Sequence, residues 1–364
     1  MYTSKVSVWV EIMDHQKAGV VLHNATIKAV AKDAGVSVAT VSRVINSNCK
    51  VSAELVEAVN KSIAKLNYYP NTVARSLKFD STLSIGLIIS DISNSFFCFL
   101  ARTIEDVIHG DNYNMIVCST DNQQDKELSY LRLLLGKKVD GIIINTTGMN
   151  DELITSVSHV LPVVLCGRKI HSPSFHGDFV DSDNEAGSYT LTRHLIEHGH
   201  RRIAIVNGQR IFSSAAERLA GFARAMKTIG IAVDEGYPYL FEGNFTDSNS
   251  GTLAAKALLS LPAPPTAIIA MNNELAAGVL RYCHDRGIHI PQDLSICSYG
   301  KIFNNDLLYV QPSYVTMDPT LLGHKIASFM LERIAGKNQH SNREMRLDAH
   351  LVKGTGVSAP ASPD

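Results

Sequence analysis

The chain has 364 residues, of which 45% are hydrophobic and 19% charged, with a formal net charge of −1. Its length exceeds the roughly 100–200 residues of one typical domain, and its composition excludes a disordered or fibrous chain. The six cysteines are scattered with no CxxC pair, and no apolar run reaches the ~20 residues of a membrane helix, so a disulfide framework, a zinc site and a membrane span are all unexpected. Charge is unevenly placed: residues 25–78 carry eight Lys/Arg against three acids, +5, which leaves −6 on residues 79–364. A basic module on an acidic body points to a local polyanion contact. Residues 1–24 hold the only tryptophan, Trp9, show no clear periodicity and lack a secretory signal pattern, so they read as a loose extension and the setting as a reducing cytoplasm.

From Thr26 the pattern becomes helical. Thr26 is a good N-cap, and Ile27, Val30, Ala31 and Ala34 follow on one apolar face. Gly35 closes that helix in a turn, and Ser37 caps a second over Val38–Asn46, with Val41, Val44 and Ile45 inward. Its outer face is Val38, Ala39, Ser42, Arg43 and Asn46. Ser52 is read as the cap of a third helix that ends before Pro70, with Val56, Val59, Ile63 and Leu66 inward. Two short helices across a glycine turn, closed by a third, predict a helix-turn-helix over 25–70. The next segment, NTVARSLK (71–78), is too short to hold a helix in water without packing partners.

The wording of this region, TIKAVAKDAGVSVATVSRVIN followed by VSAELVEAVNKSIAKLNYYPNTVARSLK, resembles the DNA-binding headpiece of the lactose-repressor (LacI/GalR) family. The resemblance implies that the second helix lies in the major groove of operator DNA. Val38 and Ala39 match the base-reading pair and Arg43 a base-edge contact. Thr26, Ser37, Thr40, Ser42 and Asn46 belong to the same DNA-binding set, mainly as phosphate contacts. The chemistry agrees, since arginine offers a forked donor to guanine and small apolar groups suit thymine methyls. Residues 71–80 match the hinge that is ordered on DNA, where Leu77 corresponds to the minor-groove wedge, with Asn71, Ala74 and Lys78 beside it.

In the body, 81–364, strands and helices alternate. Strands are expected at 84–90, 115–119, 140–145 and 162–166, and after DFVDSDN (178–184) at 202–206, 267–271 and 294–299. Helices are expected at about 96–109, 126–135, 185–198, 215–229, 249–260 and 274–286. Continuous apolar strands separated by helices predict two doubly wound parallel-sheet subdomains with a ligand cleft between their strand ends. The segments DISNSFFCFLARTIED, HLIEHGHRRIAIV, ERLAGF, PPTAIIAMNNELAAGVL and GIHIPQDLSI resemble the effector domain of the same family, which is like a periplasmic sugar-binding protein. That implies three crossings between subdomains. On this reading 81–183 plus 299–317 form lobe one, and 184–298 plus 318–355 form lobe two.

The resemblance also assigns effector contacts. Arg218 matches the arginine that grips the ligand, Phe96, Phe97 and Phe245 match aromatic cleft residues, Asp183 an acid near a crossover, and Asn273 a polar contact. Three positions depart from the family, which commonly has acids where this chain has Gly167, Asn273 and Gly300. With Arg168 and Lys301 nearby, and with Glu274 and Asp183 as possible counterweights, the loss of those acids favours an acid-bearing, sugar-like effector over a neutral sugar. His194, His198 and His200 have metal-like spacing, but the family's helix ending reads much the same without metal, and no phosphate loop, dinucleotide fingerprint or nucleophile elbow is present. The chain therefore reads as a cytoplasmic, homodimeric transcriptional regulator, with no enzyme activity, metal or cofactor, rather than as a solute-binding protein of the same fold. The tail 353–364 has no leucine heptads to support a coiled-coil tetramer.

Overall fold

The computed structural model describes residues 25–46, 51–68, 81–316, 318–338 and 341–361. The extension 1–24 and the hinge 71–80 fall outside the described residues. The chain divides into two compact units between Thr82 and Leu83, and each is described by itself.

In the first unit Thr26 takes extended backbone and its Oγ1 accepts from Ala29 N at 3.2 Å, so helix α1 begins at once and runs Ile27–Asp33. Helix α2 is Val38–Asn46 and α3 is Ala53–Lys65. Val30, Ala31, Val41, Val59 and Tyr68 form the core, with Val44, Ile45, Ile63 and Leu66 packed against it. Ser37 does cap α2, its Oγ accepting from Thr40 N at 3.1 Å. Ser52 stands at the N-cap of α3 but makes no side-chain cap bond, which corrects that part of the expectation. A buried hydroxyl, Ser62, instead donates to Asp33 Oδ2 at 2.6 Å, while Lys65 Nζ pairs with Asp33 Oδ1 at 2.7 Å. This links α3 to the end of α1.

The second unit is two sheets. From edge to edge the first runs 344–347, 178–182, 163–166, 141–144, 84–89 and 114–119, and the second 350–352, 313–316, 295–299, 267–270, 203–208 and 240–243. Lobe one is built from β1 (Ser84–Ile89), α4 (Ser95–Gly110), β2 (Asn114–Ser119), α5 (Gln124–Gly136), β3 (Gly141–Ile144), α6 (Asp151–Ser158), β4 (Val163–Cys166) and β5 (Asp178–Ser182). Lobe two follows with α7 (Asn184–Glu197), β6 (Ile203–Gly208), α8 (Ser213–Lys227), β7 (Leu240–Gly243), α9 (Ser248–Leu259), β8 (Ala267–Ala270), α10 (Asn273–Arg286), β9 (Ser295–Tyr299) and β10 (Ser313–Thr316). Helix α11 (Pro319–Ile334) and strand β11 (Glu344–Leu347) return to lobe one, and β12 (His350–Val352) ends in lobe two.

The expected lobe boundaries need correction after residue 298. Strand β10 pairs with β9 in the second sheet, so 299–316 stays in lobe two. Helix α11 packs on α4, and β11 pairs in parallel with β5, so 319–347 belongs to lobe one. The sequence reading places both segments in the opposite lobe. Strand pairing decides this, and periodicity carries no information about which neighbour a strand takes.

Period-two alternation explains why lobe one needs helices on both faces. Ile85, Leu87, Ile89, Ile143 and Val164 join the core under α4 and α11, whereas Ile88, Ile142, Ile144, Val163 and Leu165 join the core with Leu131, Leu134, Ile154 and Val157 of α5 and α6. Each such side chain contributes roughly 1.5–3 kcal/mol on burial. In lobe two one large cluster gathers β6, β8 and β9 against α7–α10.

Candidate nucleic-acid interface and ligand cleft

On α2, Val38, Ala39 and Arg43 are exposed, Thr40 and Ser42 half-buried, and Val41 fully buried. One turn of helix thus presents the residues that pointed to base reading, held rigid by Val41 beneath them. An exposed apolar Val38 (41%) beside the Arg43 cation is compatible with reading base edges in a groove. Thr26 and Ser37 are exposed as well, but their hydroxyls already accept from the first turns of α1 and α2. Asn46 ends α2. Asn71, Ala74, Leu77 and Lys78 lie outside the described residues.

In the second unit a cavity of about 420 Å³ opens between the lobes. Five of the six expected effector residues line it: Phe96, Phe97, Arg218, Phe245 and Asn273. Asp183 does not, because its Oδ1 accepts from Ala186 N at 2.9 Å as the N-cap of α7. It shapes the crossover and not the cleft. Asn273 lines the cavity with its amide already engaged. Its Nδ2 donates to Asn94 Oδ1 at 3.0 Å and its Oδ1 accepts from Asn94 Nδ2 at 3.2 Å, so a lobe-two and a lobe-one side chain clasp across the opening.

Arg218 is 8% exposed, with Nε donating to Asn184 Oδ1 at 2.8 Å and Nη1 to the carbonyl of Met271. Its guanidinium lies 3.8 Å from the Tyr299 ring centroid and 5.6 Å from that of Phe245. Two rings therefore hold a flat cation edge-ready for a ligand. Arg168 is 5% exposed and stacks 3.7 Å from the Phe212 centroid, donating to Thr146 O and Asn122 Oδ1 at 2.9 and 2.8 Å. Burial pulls its pKa down to about 9. Among the described residues neither arginine has an ion-pair partner. Lys301 differs: half-exposed at the cleft mouth, it sits 3.4 Å from Asp306.

Sequence reasoning missed Asp181. This lining carboxyl is 1% exposed, and burial pushes its pKa up to about 6 against the pull of Arg218. Asn184 Nδ2 donates to its Oδ2 at 2.6 Å. The available signal was an acid inside an otherwise buried strand, DFVDS, where unpaired carboxylates are rarely tolerated. Asn145, Tyr299 and Asp91 also line the cleft unannounced, and buried Asn145 Oδ1 has no hydrogen-bond partner. At two of the three positions that lack the family's acid the backbone suits glycine, and only at Gly167 is a side chain also crowded. Gly167 and Gly300 take φ of 70° and 94°, and a Cβ on Gly167 would lie 2.9 Å from Asn145 Nδ2.

The histidines are packing groups. His194 contacts Ser313 Oγ at 3.2 Å, and burial pushes its pKa down to about 4. His200 contacts Thr266 Oγ1 at 2.9 Å and the Ser358 carbonyl at 2.8 Å.

Comparison with known proteins agrees with this geometry. The family described as "Periplasmic binding proteins and sugar binding domain of LacI family" matches residues 82–355, and "Bacterial regulatory proteins, lacI family" matches residues 26–71. The HTH-type transcriptional repressor PurR of Vibrio atlanticus is 32% identical over 92% of this chain and 98% of its own length. That of Aliivibrio salmonicida is 33% identical over 90% and 97%. Among solved structures, the Lac repressor dimer bound to operator and the anti-inducer ONPF has a TM-score of 0.79 at 26% identity, covering 92% of this chain and 99% of that one. The regulator CelR in complex with cellobiose has 0.69 at 26% identity, covering 91% and 99%. With one signature on each unit, the chain belongs to the LacI family of bacterial regulatory proteins and is a DNA-binding transcriptional regulator.

Proposed function

We propose that the chain is a repressor that binds a pseudo-palindromic operator as a homodimer, and that a small, sugar-like effector with an acid group sets its operator affinity. Each headpiece reads one half-site, because a two-fold protein matches a two-fold site. Val38, Ala39 and Arg43 read bases, Thr26, Ser37, Thr40, Ser42 and Asn46 hold the backbone, and Leu77 wedges the minor groove with Asn71, Ala74 and Lys78 alongside. The Lac repressor relative is a dimer on its operator, and the CelR relative carries a sugar, which supports the same division of labour here. The cleft binds its effector without turning it over, and the site of action is the cytoplasm, where the operator lies.

The observation that carries the effector class is the pair Arg168 and Arg218, two buried guanidinium groups with no carboxylate in ion-pair contact among the described residues, although buried Glu127 acts on Arg168 from nearby and Asp181 on both. A buried cation without a counter-ion costs several kcal/mol, so an oxyanion in the cleft is favoured. Phe96, Phe97 and Phe245 supply the apolar contact that a sugar ring or other flat face needs. Calorimetry of the full chain with galactose against galacturonate, glucose against gluconate, and ribose against ribose 5-phosphate tests this. The acid member of a binding pair should bind more tightly, and Arg218→Ala should weaken it more than its neutral partner. Tighter binding of the neutral member throughout, with equal loss in Arg218→Ala, rejects the reading.

A further inference from the structure

The wall of the cleft divides by chemistry and by the elements that supply it. Arg168, Arg218, Asp181 and Asn145 make a polar part. An apolar part comes from Phe99 and Leu100 of α4, Pro319 and Leu322 at the start of α11, and Ile302 and Phe303 of the loop after β9. We infer that this apolar part is a subsite for an aromatic substituent, so that the effector is an amphiphile whose acid-bearing, sugar-like head is joined to an aryl group. The inference rests on the reading of the cleft as the effector site and supplies the other half of the ligand.

Two rings of this wall are open to solvent. Phe99 is 48% and Phe303 58% exposed, and their centroids lie 6.3 Å apart with the planes tilted by 40°. A tilted aromatic pair on a cavity wall, with faces left uncovered, suits a third ring. Leu100 and Leu322 behind them are each 1% exposed and belong to the core under α4 and α11, while Ile302 packs against the core of lobe two. The apolar surface thus runs on from both cores, where water gains no hydrogen-bond partner. At about 420 Å³ the whole cavity falls within the roughly 300–1,000 Å³ of sites that enclose a drug-sized ligand, more room than one sugar ring requires.

Local sequence bends the loop into place. Gly300 (φ 94°) and Asn304 (φ 55°) take left-handed backbone, which glycine and asparagine accept most readily, and Ile302 and Phe303 stand between them. The charged residues of the loop, Lys301 and Asp306, lie 3.4 Å from each other. Since the loop belongs to lobe two and α4 and α11 to lobe one, an aryl group held between them touches both lobes. Its burial stabilises the arrangement in which the lobes are close, which is how such a ligand would select one state of the cleft.

The test is fluorescence titration of the full chain with 8-anilinonaphthalene-1-sulfonate, a dye that joins an anionic group to flat rings. Saturable binding at one site per chain is expected, weakened at least tenfold by Phe303→Ser or Phe99→Ser and unchanged by Leu253→Ser, which removes an exposed apolar side chain on α9. Should Phe99→Ser fail to fold, the more exposed Phe303 decides alone. Phenyl β-D-glucuronide should displace the dye at least tenfold better than glucuronate. Arg218→Ala separates this inference from the acid reading. Affinity lost in Phe303→Ser but kept in Arg218→Ala rejects the acid and leaves the aryl subsite standing; the reverse pattern keeps the acid and overturns the subsite. No saturable dye binding, or equal displacement by the two glucuronates, also overturns it. So does a Phe303→Ser chain that sediments as a monomer with dye affinity unchanged, which would assign the rings to a contact between subunits.

Discussion

Replacing Asp178 with asparagine should destabilise lobe one by roughly 3–5 kcal/mol, the cost of leaving a buried ion pair half-made. Asp178 is fully buried at the start of β5 and accepts from Arg333 of α11 through both oxygens, at 2.8 and 2.7 Å. Arg343 adds contacts of 3.2 and 2.6 Å and a backbone N–H at 2.9 Å. Asparagine keeps the shape but strands Arg333, which is 4% exposed, without a counter-ion. Against a total stability of about 5–15 kcal/mol the loss is large. Urea unfolding followed by circular dichroism should show a lower midpoint. The double variant Asp178→Asn/Arg333→Met should recover part of the loss, because the orphaned charge is then gone. The arginines hold the Asp178 carboxyl below its ordinary 3.8, so its contribution is present above that value and disappears as pH falls through the lower folded pKa. A single variant that costs less than about 1 kcal/mol, or a double variant no better than the single, would refute the reasoning.

Asp181 behaves in the opposite sense. Its pKa, raised by burial to about 6, means that its contribution is present below 3.8 and lost as pH rises through about 6. Asp181→Asn should therefore stabilise the ligand-free chain near pH 7 by roughly 2–3 kcal/mol and flatten its stability between about pH 4 and 7, and identical thermal melts at both ends of that range for the two proteins would contradict it. On the headpiece, Arg43→Ala should cost roughly 1–3 kcal/mol on the operator and relax one base position per half-site. Fluorescence anisotropy with operator and random duplexes checks this, and equal loss on both would make Arg43 a phosphate contact.

The headpiece was legible because its helices are fixed by local chemistry. Thr26 and Ser37 cap within three residues, and Val30, Val41 and Val59 fall on faces set by the helical repeat. The same holds for the alternation of strand and helix in the body, where uninterrupted apolar strands such as Ser84–Ile89 require cover on both faces. Arg218, Phe96, Phe97 and Phe245 were reached through their surrounding motifs, and each lines the cleft. Tertiary structure alone decided what depends on distant neighbours. Strand β10 joins its chain neighbour β9, while β11 joins β5 across a long stretch of chain, so the lobe boundaries cannot be read from local patterning. Asp183 and Asp181 stand two residues apart in one acidic motif, yet the first caps a helix and the second faces the ligand space. Sequence places Arg168 only as a basic residue beside the expected cleft. Only the approach of α8, which lays Phe212 against its guanidinium, turns it into a buried charge, with buried Glu127 as its leading electrostatic partner.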